Sequence, residues 1–116
     1  MNGPSLNLLV IRSGDIDRSA RFYELLGLVF TKHAHGSGPQ HYAAEPGTSV
    51  FEIYPRRDEK DSTSSTRLGF RVANLDQTLA ALEQAGAKIV SPLKDTPYGR
   101  RAVVDDPDGH RVELTQ

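Results

Sequence analysis

Apolar residues recur along this chain in two spacings, and the order of those spacings repeats. Leu6 to Ile11 is a short run of branched apolar residues, the pattern of a buried strand. Ile16, Ala20, Tyr23 and Leu26 then fall at intervals of four, three and three, which gathers them on one face of a helix. Asp15 or Asp17 can cap that helix. Gly27 ends it, because glycine accepts the left-handed conformation that follows a helix terminus. The pattern then turns extended: Leu28 to Lys32, Gln40 to Glu45 and Ser49 to Tyr54 predict three strands, separated by glycine- and proline-bearing segments at 35–39 and 45–47.

At an offset of 59 residues the same order returns. Ile16-Asp17 recurs as Leu75-Asp76, Ser19 as Thr78, Gly27 as Gly86 and Phe30 as Ile89. Leu75, Leu79, Leu82 and Ala85 repeat the helical face, so the buried positions are preserved and not only the letters. Arg67 to Val72 opens the second unit. Lys88 to Val90, Arg100 to Asp105 and His110 to Thr115 predict its remaining strands, the last two joined at Asp106-Pro107-Asp108-Gly109, a strong turn signal. Self-similarity of this kind means one structural unit used twice. Each unit reads β-α-β-β-β, giving an α+β fold: one domain over 1–116, with modules at 5–56 and 66–116 and a linker at 57–65.

Composition narrows the function. At 116 residues, two units of this size are each marginal alone, so they are expected to share a core or trade faces with a partner chain. Fourteen Lys and Arg oppose fifteen Asp and Glu, a net charge of -1, which argues against nucleic acid as the partner. The run Arg56 to Asp61 mixes both signs and reads as a solvated linker. With no cysteine, disulfides, thiolate metal sites and cysteine nucleophiles are all excluded. No basic stretch followed by an apolar core opens the chain, and no apolar run approaches the length of a membrane span. A cytoplasmic protein with no membrane partner is expected.

The repeat, with Asp15-x-x-x-Ser19-x-x-Phe22-Tyr23 leading to Gly27-Leu28, and the closing stretch Asp106-Pro107-Asp108-Gly109-His110-Arg111-Val112-Glu113-Leu114, closely resembles the vicinal oxygen chelate superfamily. That superfamily includes glyoxalase I, bleomycin-resistance proteins, fosfomycin-resistance enzymes and extradiol dioxygenases. The resemblance implies paired modules forming a U-shaped, half-open barrel, and a homodimer with the cavity placed between subunits. It also implies metal ligands projecting from the first and last strand of each module, at positions that fall here on Asn7, Glu52, Arg67 and Glu113. Glu52 and Glu113 match the acidic ligands of the pattern, and Asn7 could offer an amide oxygen. Arg67 departs from it, because a guanidinium has no lone pair to give.

If the four positions converge, the charge of Arg67 stands where a cation would have been, bridging Glu52 and Glu113 with its forked donors. The expected function is therefore binding of a small organic molecule in a cavity without a metal cofactor. The alternative is a divalent-metal-dependent lyase, isomerase or dioxygenase, with Mg²⁺ or Mn²⁺ on Glu52 and Glu113 and with Glu113 or a histidine as catalytic base. The plainer possibility is that Arg67 and Glu113 sit on solvated strand faces.

Other residues complete the candidate set. His33 and His35 would share one strand face with His41 nearby, but no acidic residue lies beside them in sequence. Loop histidines are the first reading, a ligand-gating or pH-sensitive role the second, and a zinc site is disfavoured. Tyr54, Tyr42 and Tyr98 offer flat surfaces with a hydroxyl, suited to aromatic ligands, and Arg100 follows Tyr98 where relatives contact ligand. The substrate-binding set is thus Asn7, His41, Glu52, Tyr54, Arg67, Tyr98 and Arg100. Gly36-x-Gly38 lacks the strand and helix that frame a phosphate loop, and no serine hydrolase motif is present.

Overall fold

A polar side chain sets where each helix begins. In the computed structural model, which describes residues 2–116, Asp15 accepts from the Arg18 backbone N–H ahead of α1 (Ile16–Glu24), and Asn74 accepts from Gln77 N–H ahead of α2 (Leu75–Gln84). These are the same position of the repeat, and each satisfies a donor the first helical turn would leave orphaned. Gly27 and Gly86 follow the two helices with φ of 108° and 86°, the left-handed region that other residues resist.

The strands are β1 (Leu8–Ser13), β2 (Thr31–His33), β3 (His41–Ala44) and β4 (Val50–Pro55) in the first module. The second has β5 (Leu68–Arg71), β6 (Lys88–Thr96), β7 (Gly99–Asp105) and β8 (Arg111–Thr115). They form two four-stranded sheets, ordered β1-β4-β3-β2 and β5-β8-β7-β6, and the sheets do not close into a barrel. In each, the first and last strands of the module pair in parallel and the rest antiparallel. The helix between first and second strands makes that parallel pairing reachable.

Period-two alternation gives each sheet a helix-covered face and an open face. Ile11, Phe51, Ile53 and Ala44 are buried under α1, whereas Val10, Glu52 and Tyr54 are only half-buried on the other side. In the second sheet Leu68, Val112, Leu114, Ala102 and Val104 are buried. One core spans both modules, because the fully buried Tyr23 ring lies 4.9 Å from Phe51 and 5.9 Å from Phe70. Each fully buried leucine there, such as Leu75 or Leu82, contributes roughly 1.5–3 kcal/mol of transfer free energy.

Several boundaries differ from expectation. The first strand starts at Leu8, and Leu6 is 76% exposed. Ala85 is exposed beyond the end of α2, so the second helical face ends at Leu82. The sixth strand runs to Thr96, well past Val90. It is an edge strand with register shifts at Ile89/Ser91 and Ser91/Lys94, which is where a chain tolerates Pro92 inside a strand. No helix among the described residues is long and apolar enough to cross a membrane.

Candidate functional site

A row of planar side chains crosses the open face of the first sheet, one from each strand. Arg12 of β1 lies over the Tyr54 ring of β4 at 5.2 Å. Tyr54 stacks on His41 of β3 at 4.2 Å and 7°, and His41 faces His33 of β2 at 5.6 Å. Strand register explains the row: Arg12 pairs with Tyr54 and His33 with His41, so pairing alone lines up side chains far apart in sequence. Beside it, Glu52 holds an oxygen 3.6 Å from His41 Nε2. His41 is 2% exposed, and its Nδ1 lies 3.4 Å from the Pro39 carbonyl oxygen.

On the open face of the second sheet, Glu113 is claimed by arginines. Arg101, from the neighbouring β7, donates from Nε to Glu113 Oε1, and Arg67 Nη2 stands 3.9 Å from the same oxygen. Arg67 does not reach Glu52 within ion-pair distance, so the expected bridge between the two carboxylates is not made within the chain. The nearer cation is Arg101, which alternation along β7 marks as an open-face residue because it pairs with Thr115 two positions from Glu113.

Three of the expected site residues lie elsewhere, for reasons of phase and exposure. Asn7 precedes β1, where its carbonyl accepts from Val50 N–H, and by alternation its side chain belongs to the side of Leu9 and Ile11, opposite Glu52. The open-face positions are Leu8 and Val10, neither of them a donor. Arg100 turns toward α2, where it donates to both oxygens of Asp76 and holds that carboxyl below its usual range. Tyr98 is 98% exposed at the β6–β7 turn. Tyr42, also considered for the groove, lies on the helix side, donating to Asp17 and lowering its pKa. Glu52, Tyr54 and His41 do come together.

The metal-ligand positions of the resemblance can be tested on this donor set. One falls on the wrong face, one is a guanidinium, and Glu113 already accepts a charged hydrogen bond. Such a set does not fit a divalent ion.

Asp106, Asp108 and His110 place ligand-type atoms within 4.8 Å of one another, a group that sequence reading did not single out. Their oxygens are taken. Asp106 accepts from Tyr23 Oη at 2.6 Å and from the Asp108 and His110 backbone N–H groups, and it pairs with the His110 ring. Asp108 accepts from Gly14 N–H and Ser19 Oγ at 2.8 Å each, and His110 Nε2 contacts Thr63 Oγ1 at 2.7 Å. The group clasps the closing hairpin to the first module. Burial, then the nearby Asp106 charge, raises the Tyr23 pKa and keeps its hydroxyl a donor.

The grooves among the described residues include a larger and a smaller one. One of about 850 Å³ runs along Arg18, Arg21, Phe22, Leu25, Lys88 and Pro107 on the helix side. Another of about 580 Å³ follows Leu28, Thr31, His33 and Ala43 at the edge of the first sheet. Neither includes Glu52, Tyr54 or Glu113.

The comparisons with known proteins agree with this architecture. The model of the Glyoxalase/Bleomycin resistance protein/Dioxygenase superfamily matches residues 5–114. A probable lactoylglutathione lyase of Synechocystis is 28% identical over 119 aligned positions, which span 92% of this chain and 91% of that protein. Among solved structures, the antibiotic binding protein TnmS3 from Streptomyces superposes with a TM-score of 0.78 at 23% identity, over 100% of this chain and 98% of that one. A glyoxalase family protein from Enterococcus faecalis superposes with a TM-score of 0.68 at 20% identity, over 100% of both chains.

Proposed function

Because the chain belongs to the Glyoxalase/Bleomycin resistance protein/Dioxygenase superfamily, we propose that it binds a small, flat organic molecule against its open sheet faces, with no metal held jointly by Asn7, Glu52, Arg67 and Glu113. The observation behind this reading is the pairing of Glu113 with Arg101 and Arg67, which puts fixed positive charge where a ligand quartet would put an ion. The row Arg12–Tyr54–His41–His33 supplies aromatic surface with polar edges. Arg67 and Arg71, with the largely exposed Arg111, add cationic donors on the second sheet, suited to a carboxylate or phenolate on the ligand. Antibiotic binding is a property of TnmS3 and supports the class only by likeness of fold.

The proposal includes a cytoplasmic homodimer. Glu52, Tyr54 and Glu113 line neither of the two grooves described above, and in this reading a second copy supplies the wall opposite them. Glu113 then acts in ligand binding.

A thermal-shift screen of aromatic carboxylates, phenols and cationic heteroaromatics, paired with sedimentation of the free protein, tests this. At a hundredfold excess over Kd, a ligand stabilises the fold by about 2.7 kcal/mol. Tyr54→Ala and Arg67→Ala should each remove that gain, and the protein should sediment as a dimer. Stoichiometric Mg²⁺ or Mn²⁺ that disappears in Glu113→Gln would favour the metal-dependent lyase, isomerase or dioxygenase instead.

A further inference from the structure

Three of the four histidines gather in the first module, and a carboxylate lies beside one of them, His41. His33 and His41 are directly paired across β2 and β3, and His35 lies two residues beyond His33. The ring centres are 5.9 Å apart for His33 and His35, 5.6 Å for His33 and His41, and 5.4 Å for His35 and His41. Imidazole nitrogens about 2.0–2.1 Å from a tetrahedral zinc stand about 3.3 Å apart, which sets their ring centres roughly 5 Å apart. The ring centres have nearly that spacing, while the donor atoms do not yet lie within 4.8 Å of one another as a group.

We propose that His33, His35, His41 and Glu52 form a binding site for a borderline divalent ion such as Zn²⁺. His41 anchors it. Its ring is buried, and its Nδ1 faces the Pro39 carbonyl oxygen at 3.4 Å, the kind of outer contact that selects a tautomer and leaves Nε2 to coordinate. Nε2 lies 3.6 Å from Glu52 Oε2, too far for a hydrogen bond and close to the spacing of two ligand atoms on one ion.

No arginine or lysine pairs with Glu52 among the described residues. Lys32 points to the opposite face, toward Asp17, and Arg12 is engaged by the Pro55 carbonyl and Asp61. Three neutral imidazoles and one carboxylate form a donor set of the zinc class. His33 and His35 now stack with their planes 9° apart, and coordination requires each to turn about its side-chain bonds, for which the exposed His35 and half-buried His33 have room.

This site shares only Glu52 with the positions implied by the family resemblance and is separate from the saturated Asp106–Asp108–His110 clasp. No acid neighbours these histidines in sequence, but the pairing of β3 with β4 brings Glu52 to His41 from eleven positions away.

The test is calorimetric titration of the untagged, metal-stripped protein with zinc chloride, no organic ligand present. One Zn²⁺ per chain is expected, with the ring signals of His33, His35 and His41 shifting in the NMR spectrum while those of His110 stay. His33→Ala/His35→Ala, changed only where the side chains are not fully buried, should bind at least tenfold more weakly and lose the zinc-induced rise in Tm. Zinc affinity unchanged in that variant, or shifts confined to His110, overturns the proposal, as does no uptake by the wild type. The site shares His33 and His41 with the aromatic row, so the titration contains no organic compound and the ligand screen uses metal-stripped protein, which lets each reading fail separately.

Discussion

Tyr23 donates its phenolic hydrogen to Asp106 Oδ2 at 2.6 Å across 83 positions of sequence, with both side chains buried. The bond ties α1 of the first module to the turn that closes the second. Removing the hydroxyl in Tyr23→Phe leaves a buried carboxylate oxygen short of a donor, a loss of about 1–3 kcal/mol. Urea unfolding should show a lower midpoint with an unchanged slope. Tyr42→Phe, at a half-buried hydroxyl bonded to the partly solvated Asp17, should lose less.

The two helix caps make a matched pair. Asp15→Ala and Asn74→Ala each remove one acceptor for a first-turn N–H at equivalent positions of the repeat. Each should destabilise by about 1 kcal/mol, read from chemical denaturation, and the two losses should add because the caps share no partner.

The arginines around Glu113 differ in weight. Arg67 is 52% exposed and 3.9 Å from the carboxylate, so Arg67→Ala should change stability by less than about 1 kcal/mol. Arg101→Ala removes the direct charged hydrogen bond and should lose about 1–2 kcal/mol after allowance for solvent. If both losses are equal, the distinction between the two arginines is wrong.

Acid stability follows from three carboxylates held below their usual range. Tyr42 lowers Asp17, Arg100 lowers Asp76, and Arg57 lowers Asp61 to about 2. A depressed folded-state pKa favours the folded state above the unfolded value and is lost as protons titrate the native carboxylate. Thermal midpoints should therefore hold above about pH 4 and fall as the pH drops toward about 2. Asp61→Asn should flatten the lower part of that fall.

Local residue patterns set the order and kind of the elements. Ile16, Ala20 and Tyr23, with Leu75, Leu79 and Leu82, mark both helices because burying one face is a property of a few adjacent turns. Gly27 and Gly86 end them because positive φ is a property of one residue. The repeat then made the two β-α-β-β-β modules legible.

Strand phase was decided by tertiary structure. A slip of one residue exchanges the two faces of a strand, so Leu8 and Arg101 occupy the open-face positions expected for Asn7 and Arg100. Convergence was decided there too. The hairpin register that sets His33 against His41, the sheet order that brings Glu52 beside them, and the packing that joins Tyr23 to Asp106 are all long-range pairings. Their stabilisation comes from burial of the whole core, and no local pattern of residues encodes which distant groups that burial will bring into contact.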